Sequence, residues 1–241
     1  MNKNFDKKFK TASPKASSKN SRRLAVLFDM DGIIVDSMPY HFISWFEVLR
    51  KYNVRVAPAD IFAMEGAKWD KVIRFAFKRE GKPLSEKTAR KIFLNRQKLF
   101  AKYFKRYIFD GVTDIIKLLK NRGFLIGLVT GSSLEEAKKM LPKEIYSLFD
   151  TKVAGDMVKK GKPFPDSYLL AAKKLSLNPR SCFVIENAPY GIRAAKAAGM
   201  YCVVITTSLS KEYLSEADKI YNSHAELLKH LMKQPHRRGK F

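Results

Sequence analysis

The chain has few of the residues from which disulfide scaffolds, zinc sites and membrane spans are built. Only two cysteines, Cys182 and Cys202, and four histidines occur among its 241 residues. Both cysteines lie inside apolar runs, so we expect buried, reduced thiols and neither a disulfide scaffold nor a cysteine-ligated zinc site. No apolar run approaches the about 20 residues of a membrane-spanning helix, and the N-terminal region has no segment typical of a secretory signal. These absences predict a cytoplasmic protein.

Acidic residues are scarce relative to basic ones. The chain holds 23 Asp and Glu against 47 Lys and Arg, which gives a formal net charge of +24 at pH 7. The excess is concentrated in residues 1–23, 68–106 and 229–241. A charge of this sign attracts polyanions such as nucleic acid or steers small anionic substrates to a site, although a solubilising bias explains it equally well.

The two ends of the chain carry part of this excess without the pattern of a folded element. Residues 1–21 are rich in Lys, Ser and Asn and have no helical apolar period, which is typical of a disordered tail. A mitochondrial presequence is the alternative, although the stretch lacks the arginines and the apolar helical face that favour one. We expect residues 233–241 to form a second basic tail.

Between the tails, short and continuous apolar runs predict strands that are buried on both faces of a sheet. Segments with helical periodicity alternate with them, which favours an α/β fold with a doubly wound parallel sheet. The predicted strands are 24–28, 124–129, 182–185 and 201–205, with a weaker one near 151–154, and the predicted helices between them are 112–120, 134–141, 167–175 and 191–198.

The interval between the first two predicted strands is far longer than one crossover helix requires. Apolar residues recur inside it at helical spacing. We therefore expect an inserted, all-helical domain at residues 38–106, called the cap below. Residues 22–37 and 107–232 would form the α/β core.

Polar residues follow four of the predicted strands. Asp29 and Asp31 follow the first, the turn 130–132 follows the second, Lys162 comes after the weak third, and the pair 186–187 ends the fourth. Ligands of an open parallel sheet bind beyond the carboxyl ends of its strands. We therefore expect these groups to converge on one crevice.

The carboxylates of Asp29 and Asp31 lie two residues apart on an extended segment, so both side chains can point the same way. Such a pair stays together only with a metal, a cation or a shared proton, and it allows one ionised nucleophile beside one proton carrier. The alternative is that both aspartates merely close the strand in a turn with Gly32.

The other three strand ends offer complementary chemistry. Thr130, Gly131 and Ser132 supply hydroxyls and backbone N–H groups that can cradle an anion or cap the next helix. Lys162 lies in a loop stiffened by the prolines at 163 and 165. Glu186 and Asn187 supply the hard oxygen ligands that Mg²⁺ prefers.

Four stretches together carry a resemblance to a known family: FDMDGIIVDS (28–37), LVTGSS (128–133), GKPFPD (161–166) and VIENAPYGIRAAKAAG (184–199). Because these four stretches occur in this order, the chain resembles the haloacid dehalogenase superfamily. Within it, the chain resembles the β-phosphoglucomutase-like subfamily, which has a helical cap after the first strand. The resemblance runs from Leu24 to about Tyr221. It implies a Rossmann-like core.

The resemblance also implies a mechanism. Asp29 would be the nucleophile that forms an aspartyl-phosphate, and Asp31 would be the general acid and then the base. Thr130 and Lys162 would hold the phosphoryl oxygens. A carboxylate and a phosphate dianion about 4 Å apart repel by about 8 kcal/mol at an effective dielectric of about 20, so cations are required. The family's Mg²⁺ would be bound by Asp29, the backbone carbonyl of Asp31, Glu186 and Asn187.

Two positions depart from the family pattern. Many relatives have Asp where this chain has Asn187, and a neutral amide oxygen is a weaker Mg²⁺ ligand. In the cap, Glu65 and Trp69 stand where the sugar-phosphate mutases have a basic residue and an Arg that bind a second phosphate, and Lys68 is the nearest cation. Glu65 is either a solvated loop residue or faces a substrate that carries its own Mg²⁺, as pyrophosphate does.

These residues favour Mg²⁺-dependent hydrolysis of a small phosphorylated metabolite. The alternatives are an inorganic pyrophosphatase, a β-phosphoglucomutase-type mutase and, from a different class, an accessory nucleic-acid-binding role of the basic tails and cap. His41 either touches substrate or packs beside Trp45. The predicted substrate-binding residues are Gly131, Ser132, Glu65, His41 and Lys68.

Overall fold

The computed structural model describes residues 23–234. The predicted tail at 1–21, and the part of the predicted C-terminal tail from residue 235 onward, lie outside the described residues. The last described helix reaches Lys233, one residue beyond the predicted end of the core.

Six strands form one parallel sheet in the α/β core. The predicted α/β fold class and its parallel sheet are therefore confirmed. The strands are β1 (Ala25–Phe28), β2 (Leu125–Val129), β3 (Thr151–Val153), β4 (Cys182–Glu186), β5 (Tyr201–Ile205) and β6 (Lys219–Tyr221), in the order β3-β2-β1-β4-β5-β6.

Burial explains which strands the sequence predicts. Every residue of β1, β4 and β5 is buried, as expected for continuous apolar runs with helices on both faces. The edge strand β6 has three residues and begins with the half-buried Lys219. It was not predicted, because an edge strand this short needs no continuous apolar run.

Of the five α-helices between β1 and β2, the first four lie inside the predicted cap. They enclose an apolar cluster of their own, with Trp45, Leu49, Ile73 and Ile92 among its buried members. Within residues 23–234, no helix combines the length and the apolar character needed to cross a bilayer. The four helices are α1 (Met38–Arg50), α2 (Pro58–Ala63), α3 (Trp69–Arg79) and α4 (Glu86–Tyr103).

The remaining helices cover the two faces of the sheet. Val26 and Phe28 of β1 pack into one apolar cluster, and Ala25 and Leu27 pack into the other, as the two-residue period of a strand requires. The helices α5 and α10 cover the first face, while α8 and α9 cover the second. These core helices are α5 (Val112–Asn121), α6 (Leu134–Met140), α7 (Lys143–Tyr146), α8 (Asp166–Lys174), α9 (Pro189–Ala197) and α10 (His224–Lys233).

A sharp turn directly after β1 aims the two aspartates at the cap side of the sheet. Gly32 has a φ of 80°, in the left-handed region that favours glycine. A Cβ atom at this position would also lie 2.1 Å from the Asn187 side-chain nitrogen. The turn after β1 and the end of β4 therefore approach closely only because residue 32 is glycine.

The separate cap core generates a stability prediction. Leu49 is fully buried in α1, whereas Leu94 in α4 is 52% exposed. We expect Leu49→Ala to lower the free energy of unfolding by about 2–5 kcal/mol, because it leaves a cavity in a packed core. Leu94→Ala, the matched control in the same cap, should cost less than about 0.5 kcal/mol. Urea unfolding measures both, and equal losses would contradict this packing.

Candidate active site

A cavity of about 310 Å³ lies between the α/β core and the cap. The core side consists of residues that follow β1, β2 and β3, including Asp31. The cap side is partly apolar, with Trp45, Trp69 and Phe93, and carries the guanidinium of Arg96. All five predicted substrate-binding residues line this cavity: Gly131, Ser132, Glu65, His41 and Lys68.

A buried ammonium lies among three carboxylates beside this cavity. Lys162 Nζ donates to Asp29 Oδ1 at 2.5 Å and to Glu186 Oε1 at 2.6 Å, and it lies 3.8 Å from Glu65 Oε2. All four side chains are more than nine-tenths buried. The ends of β1 and β4, the loop after β3 and the cap therefore meet at one group of charges.

The environment shifts the pKa values of this group upward. Burial raises the pKa of Asp29 well above its usual value, and the nearby charges of Glu186 and Asp31 add to this effect against the attraction of Lys162. Burial and Asp29 likewise raise the pKa of Glu65. The pKa of Lys162 also lies well above normal, because its acidic neighbours outweigh the effect of burial. The site thus favours an added positive charge.

Glu186 is held in one orientation by four donors. Besides Lys162, the hydroxyl of Tyr168 donates to Oε1 at 2.8 Å, and the backbone N–H groups of Asn187 and Ala188 donate to Oε2 at 2.9 and 3.3 Å. Tyr168 is a site residue that the sequence interpretation missed. Its only signal is its position, in the first turn of the helix that follows the GKPFPD loop.

Asp31 accepts hydrogen bonds from three side chains. Ser37 Oγ and His41 Nε2 donate to Oδ1 at 2.5 and 3.0 Å, and Thr130 Oγ1 donates to Oδ2 at 3.4 Å. Burial alone raises the pKa of Asp31, but His41 and Ser37 outweigh it and hold the pKa below its usual value. This arrangement fits an ionised carboxylate that is ready to accept a proton.

His41 connects Asp31 to the cap. Its Nδ1 contacts the guanidinium of Arg96, and its ring stacks on Phe100 with 4.5 Å between centroids. Because the guanidinium can only donate, Nδ1 accepts and Nε2 carries the proton given to Asp31. Burial and Arg96 lower the pKa of His41. Both Ser37 and Arg96 were missed by the sequence interpretation, which left His41 as a substrate contact or a packing residue beside Trp45.

The turn after β2 lies beside Asp31 and leads into a helix that is capped by the next residue. Thr130 Oγ1 accepts from the backbone N–H of Ser132 at 3.1 Å, which fixes the turn beside Asp31. The cap of the next helix is Ser133, whose Oγ accepts from the N–H of Glu136 at 3.2 Å. Gly131 and Ser132 therefore remain at the cavity.

The cap loop that carries Glu65 contacts the core directly. A Cβ atom on Gly131 would lie 2.7 Å from the Gly66 Cα, and one on Gly66 would lie 2.3 Å from Lys162 Cδ. Lys68 Nζ donates to the backbone carbonyls of Gly155 and Val158 at 2.7 and 3.0 Å. The ammonium of Lys68, predicted to bind substrate, thus holds the cap loop to the core while it lines the cavity.

Glu65 is not a solvated loop residue, since it is only 8% exposed. That alternative is wrong because the loop lies against the core and turns the side chain inward. One oxygen each of Asp29, Glu65 and Glu186 lie within 4.8 Å of one another. Glu65 thus adds a fourth buried carboxylate to those of Asp29, Asp31 and Glu186.

The oxygen atoms of this site are suited to bind a divalent cation. Within residues 23–234, no hydrogen-bond donor reaches three buried oxygens: Asp29 Oδ2, Glu65 Oε2 and Asn187 Oδ1. The amide nitrogen of Asn187 donates to Ser208 Oγ at 3.3 Å, so its oxygen is left as an acceptor. Carboxylate and amide oxygens are the ligands of hard cations such as Mg²⁺.

Three features of this structure together are typical of one class of hydrolase. They are the doubly wound core, the helical cap inserted after the first strand and the buried carboxylate at the end of that strand. Residues 26–205 match the family described as "Haloacid dehalogenase-like hydrolase". This match covers more than half of the chain, which therefore belongs to this family and is an enzyme. The predicted membership in the superfamily is confirmed.

Individual relatives agree with this assignment. The chain is 32% identical to fructose-1-phosphate phosphatase YqaB from Escherichia coli, over 76% of this chain and 96% of that protein. It is 31% identical to β-phosphoglucomutase from Bacillus subtilis, over 74% and 81%. A putative β-phosphoglucomutase from Bacteroides vulgatus has a similar structure, with a TM-score of 0.77, 30% identity and coverage of 90% and 93%.

The shared ammonium generates a second prediction. Lys162→Met should lower the free energy of unfolding by about 3–5 kcal/mol without added divalent cation, because it leaves buried carboxylates unpaired. The matched control is Lys159→Met, an exposed lysine three residues earlier in the same loop, which should change stability by less than about 0.5 kcal/mol. Chemical unfolding in EDTA tests this. If Lys162→Met lowers the free energy of unfolding no more than Lys159→Met does, the ion-pair geometry is contradicted.

Proposed function

We propose that the protein is a Mg²⁺-dependent phosphatase that hydrolyses a small phosphorylated metabolite through an aspartyl-phosphate on Asp29. The observation that carries this proposal is the placement of Asp29. One of its oxygens is held by Lys162, the other has no donor within residues 23–234, and Asp31 lies two residues away. The named phosphatases among the relatives support the same class of reaction.

The first chemical step transfers the phosphoryl group to the enzyme. A carboxylate oxygen of Asp29 attacks phosphorus, and the bond from phosphorus to the ester oxygen breaks. Asp31 gives a proton to the leaving oxygen, and it must first take up this proton because its hydrogen bonds favour the ionised form. Lys162 and the turn at 130–132 orient the phosphoryl oxygens.

The second step returns the free enzyme. Water attacks phosphorus, Asp31 takes its proton, and the bond from phosphorus to the Asp29 oxygen breaks to release inorganic phosphate. The hydrogen bonds of Ser37, His41 and Thr130 to Asp31 favour the ionised form that this step needs.

A divalent cation completes the charge balance. Asp29, the backbone carbonyl of Asp31, Glu186 and Asn187 would hold Mg²⁺, which supplies positive charge to the phosphate and to the transition state. Four buried carboxylates with one lysine would otherwise repel an anionic substrate.

The cavity supports hydrolysis of an organic phosphate over phosphoryl transfer within a sugar bisphosphate. Trp69 and Phe93 stack with 4.6 Å between their centroids and form an apolar wall, where a mutase would need a cation for its second phosphate. Lys68 is already bonded to backbone carbonyls of the core. A leaving group with a partly apolar surface fits this wall.

Inorganic pyrophosphate is the second candidate substrate. The buried Glu65 favours it, since an inward carboxylate repels a bare second phosphate but tolerates one that carries Mg²⁺. Nucleic-acid binding remains a prediction without support from the named relatives, and residues 1–22 and 235–241 lie outside the described structure.

The nucleophile has a direct test. Asp29→Asn should reduce turnover at least about a thousandfold, because an amide oxygen cannot form the aspartyl-phosphate. Asp114→Asn makes the same change at an exposed position of α5 and should keep full activity. Phosphate release is measured with circular dichroism as a check of folding. A folded Asp29→Asn protein with normal turnover would refute the mechanism.

A substrate panel separates the candidate reactions. We expect phosphate release from sugar phosphates or other small organic monophosphates to exceed release from pyrophosphate, and to disappear in EDTA and return with Mg²⁺. Pyrophosphate as the best substrate by kcat/KM would replace the first candidate with the second. Interconversion of sugar monophosphates, primed by a bisphosphate and without net phosphate release, would identify a mutase.

A further inference from the structure

We propose that Glu65 is a ligand of the divalent cation, supplied by the cap, so that the cation is held from both domains. This inference rests on the cation of the proposed function and adds to it a residue that was expected to face substrate. It is carried by the inward position of Glu65 beside Asp29 and Glu186, and by one oxygen each of Glu65 and Asp29 that no donor reaches among the described residues.

Lys162 attracts Glu65 but gives it no hydrogen bond. Its ammonium already donates to Asp29 at 2.5 Å and Glu186 at 2.6 Å, while the Glu65 oxygen lies at 3.8 Å, beyond hydrogen-bonding distance. A buried carboxylate oxygen without a donor costs several kcal/mol or takes up a proton. A cation shared with Asp29 removes this cost, and their oxygens, which lie within 4.8 Å of each other, are close enough to bind one ion.

The two departures from the family pattern then compensate each other. The core has the neutral Asn187 where many relatives have an aspartate, and so lacks one negative charge at the cation. The cap has Glu65 where the mutases have a cation, and so brings one negative charge to the same place. The charge of the ligand set is kept, but part of it belongs to the cap.

This arrangement links cation binding to the position of the cap. Gly66 contacts Gly131 and Lys162 across the boundary, and these contacts bring the adjacent Glu65 to the ion. A loop that swings away takes one ligand with it. The cation should therefore bind more tightly to the closed protein than to the open one.

The test measures metal binding without substrate, using the full-length protein and Mn²⁺ as a probe in an electron paramagnetic resonance titration. We expect Glu65→Gln to weaken Mn²⁺ binding about tenfold or more, in line with the effect of losing a ligand or its support. Glu80→Gln, which removes the same charge from an exposed cap position, should bind Mn²⁺ like the wild type.

A second variant tests the compensation. Glu65→Gln combined with Asn187→Asp should recover most of the lost Mn²⁺ affinity, because the charge returns to the core. Wild-type affinity in Glu65→Gln, or a double variant that binds as weakly as Glu65→Gln, would overturn the inference. Loss of affinity in Glu80→Gln equal to that in Glu65→Gln would also overturn it, since a general charge effect would then suffice.

These outcomes are separate from those of the proposed function. Mn²⁺ binding needs no turnover, so a Glu65-dependent site in a protein that releases no phosphate would refute the phosphatase and keep the cation ligand. Phosphate release by a protein whose Mn²⁺ binding does not depend on Glu65 would keep the phosphatase and refute the cation ligand. In hydrogen exchange, Mg²⁺ should protect residues 64–68 in the wild type and fail to do so in Glu65→Gln.

Discussion

The ammonium of Lys162 among the carboxylates of Asp29, Glu65 and Glu186 is the interaction on which the arrangement of this protein depends. Three buried carboxylates this close repel one another unless cations lie between them. The four residues come from the end of β1, the cap, β4 and the loop after β3. One electrostatic requirement therefore holds four distant parts of the chain together.

The same requirement predicts that the site prefers anions that arrive with a cation. A single lysine leaves the group of carboxylates net negative, and the raised pKa values of Asp29 and Glu65 express that excess. The carboxylates repel a bare phosphate. A divalent cation is attracted by them, and they were already removed from water when the protein folded. The buried carboxylates that lower the stability of the fold by repelling one another are thus the groups that the proposed reaction requires.

Sequence patterns predicted the parts of this molecule that obey local rules. Continuous apolar runs indicate central strands, and polar residues at the ends of parallel strands must lie at one edge, so Asp29, Thr130, Lys162 and Glu186 were identified together. Contacts between distant parts of the chain have no local signature. The hydrogen bond from Tyr168 to Glu186 and the contact of Arg96 with His41 depend on how helices pack. Glu65 is buried only because its loop meets the core.

The sign of the charge on one cap residue then decides what the cap recognises. A cation at position 65 would bind a second phosphate of the substrate, and the core alone would have to hold the metal. In the proposed site, a carboxylate at 65 turns toward the metal instead and supports the weak ligand Asn187. The far end of the substrate is then left to the wall of Trp69 and Phe93. On this proposal the reacting core stays the same while a single substitution in the cap moves recognition from phosphate to cation, so that one fold can serve different reactions.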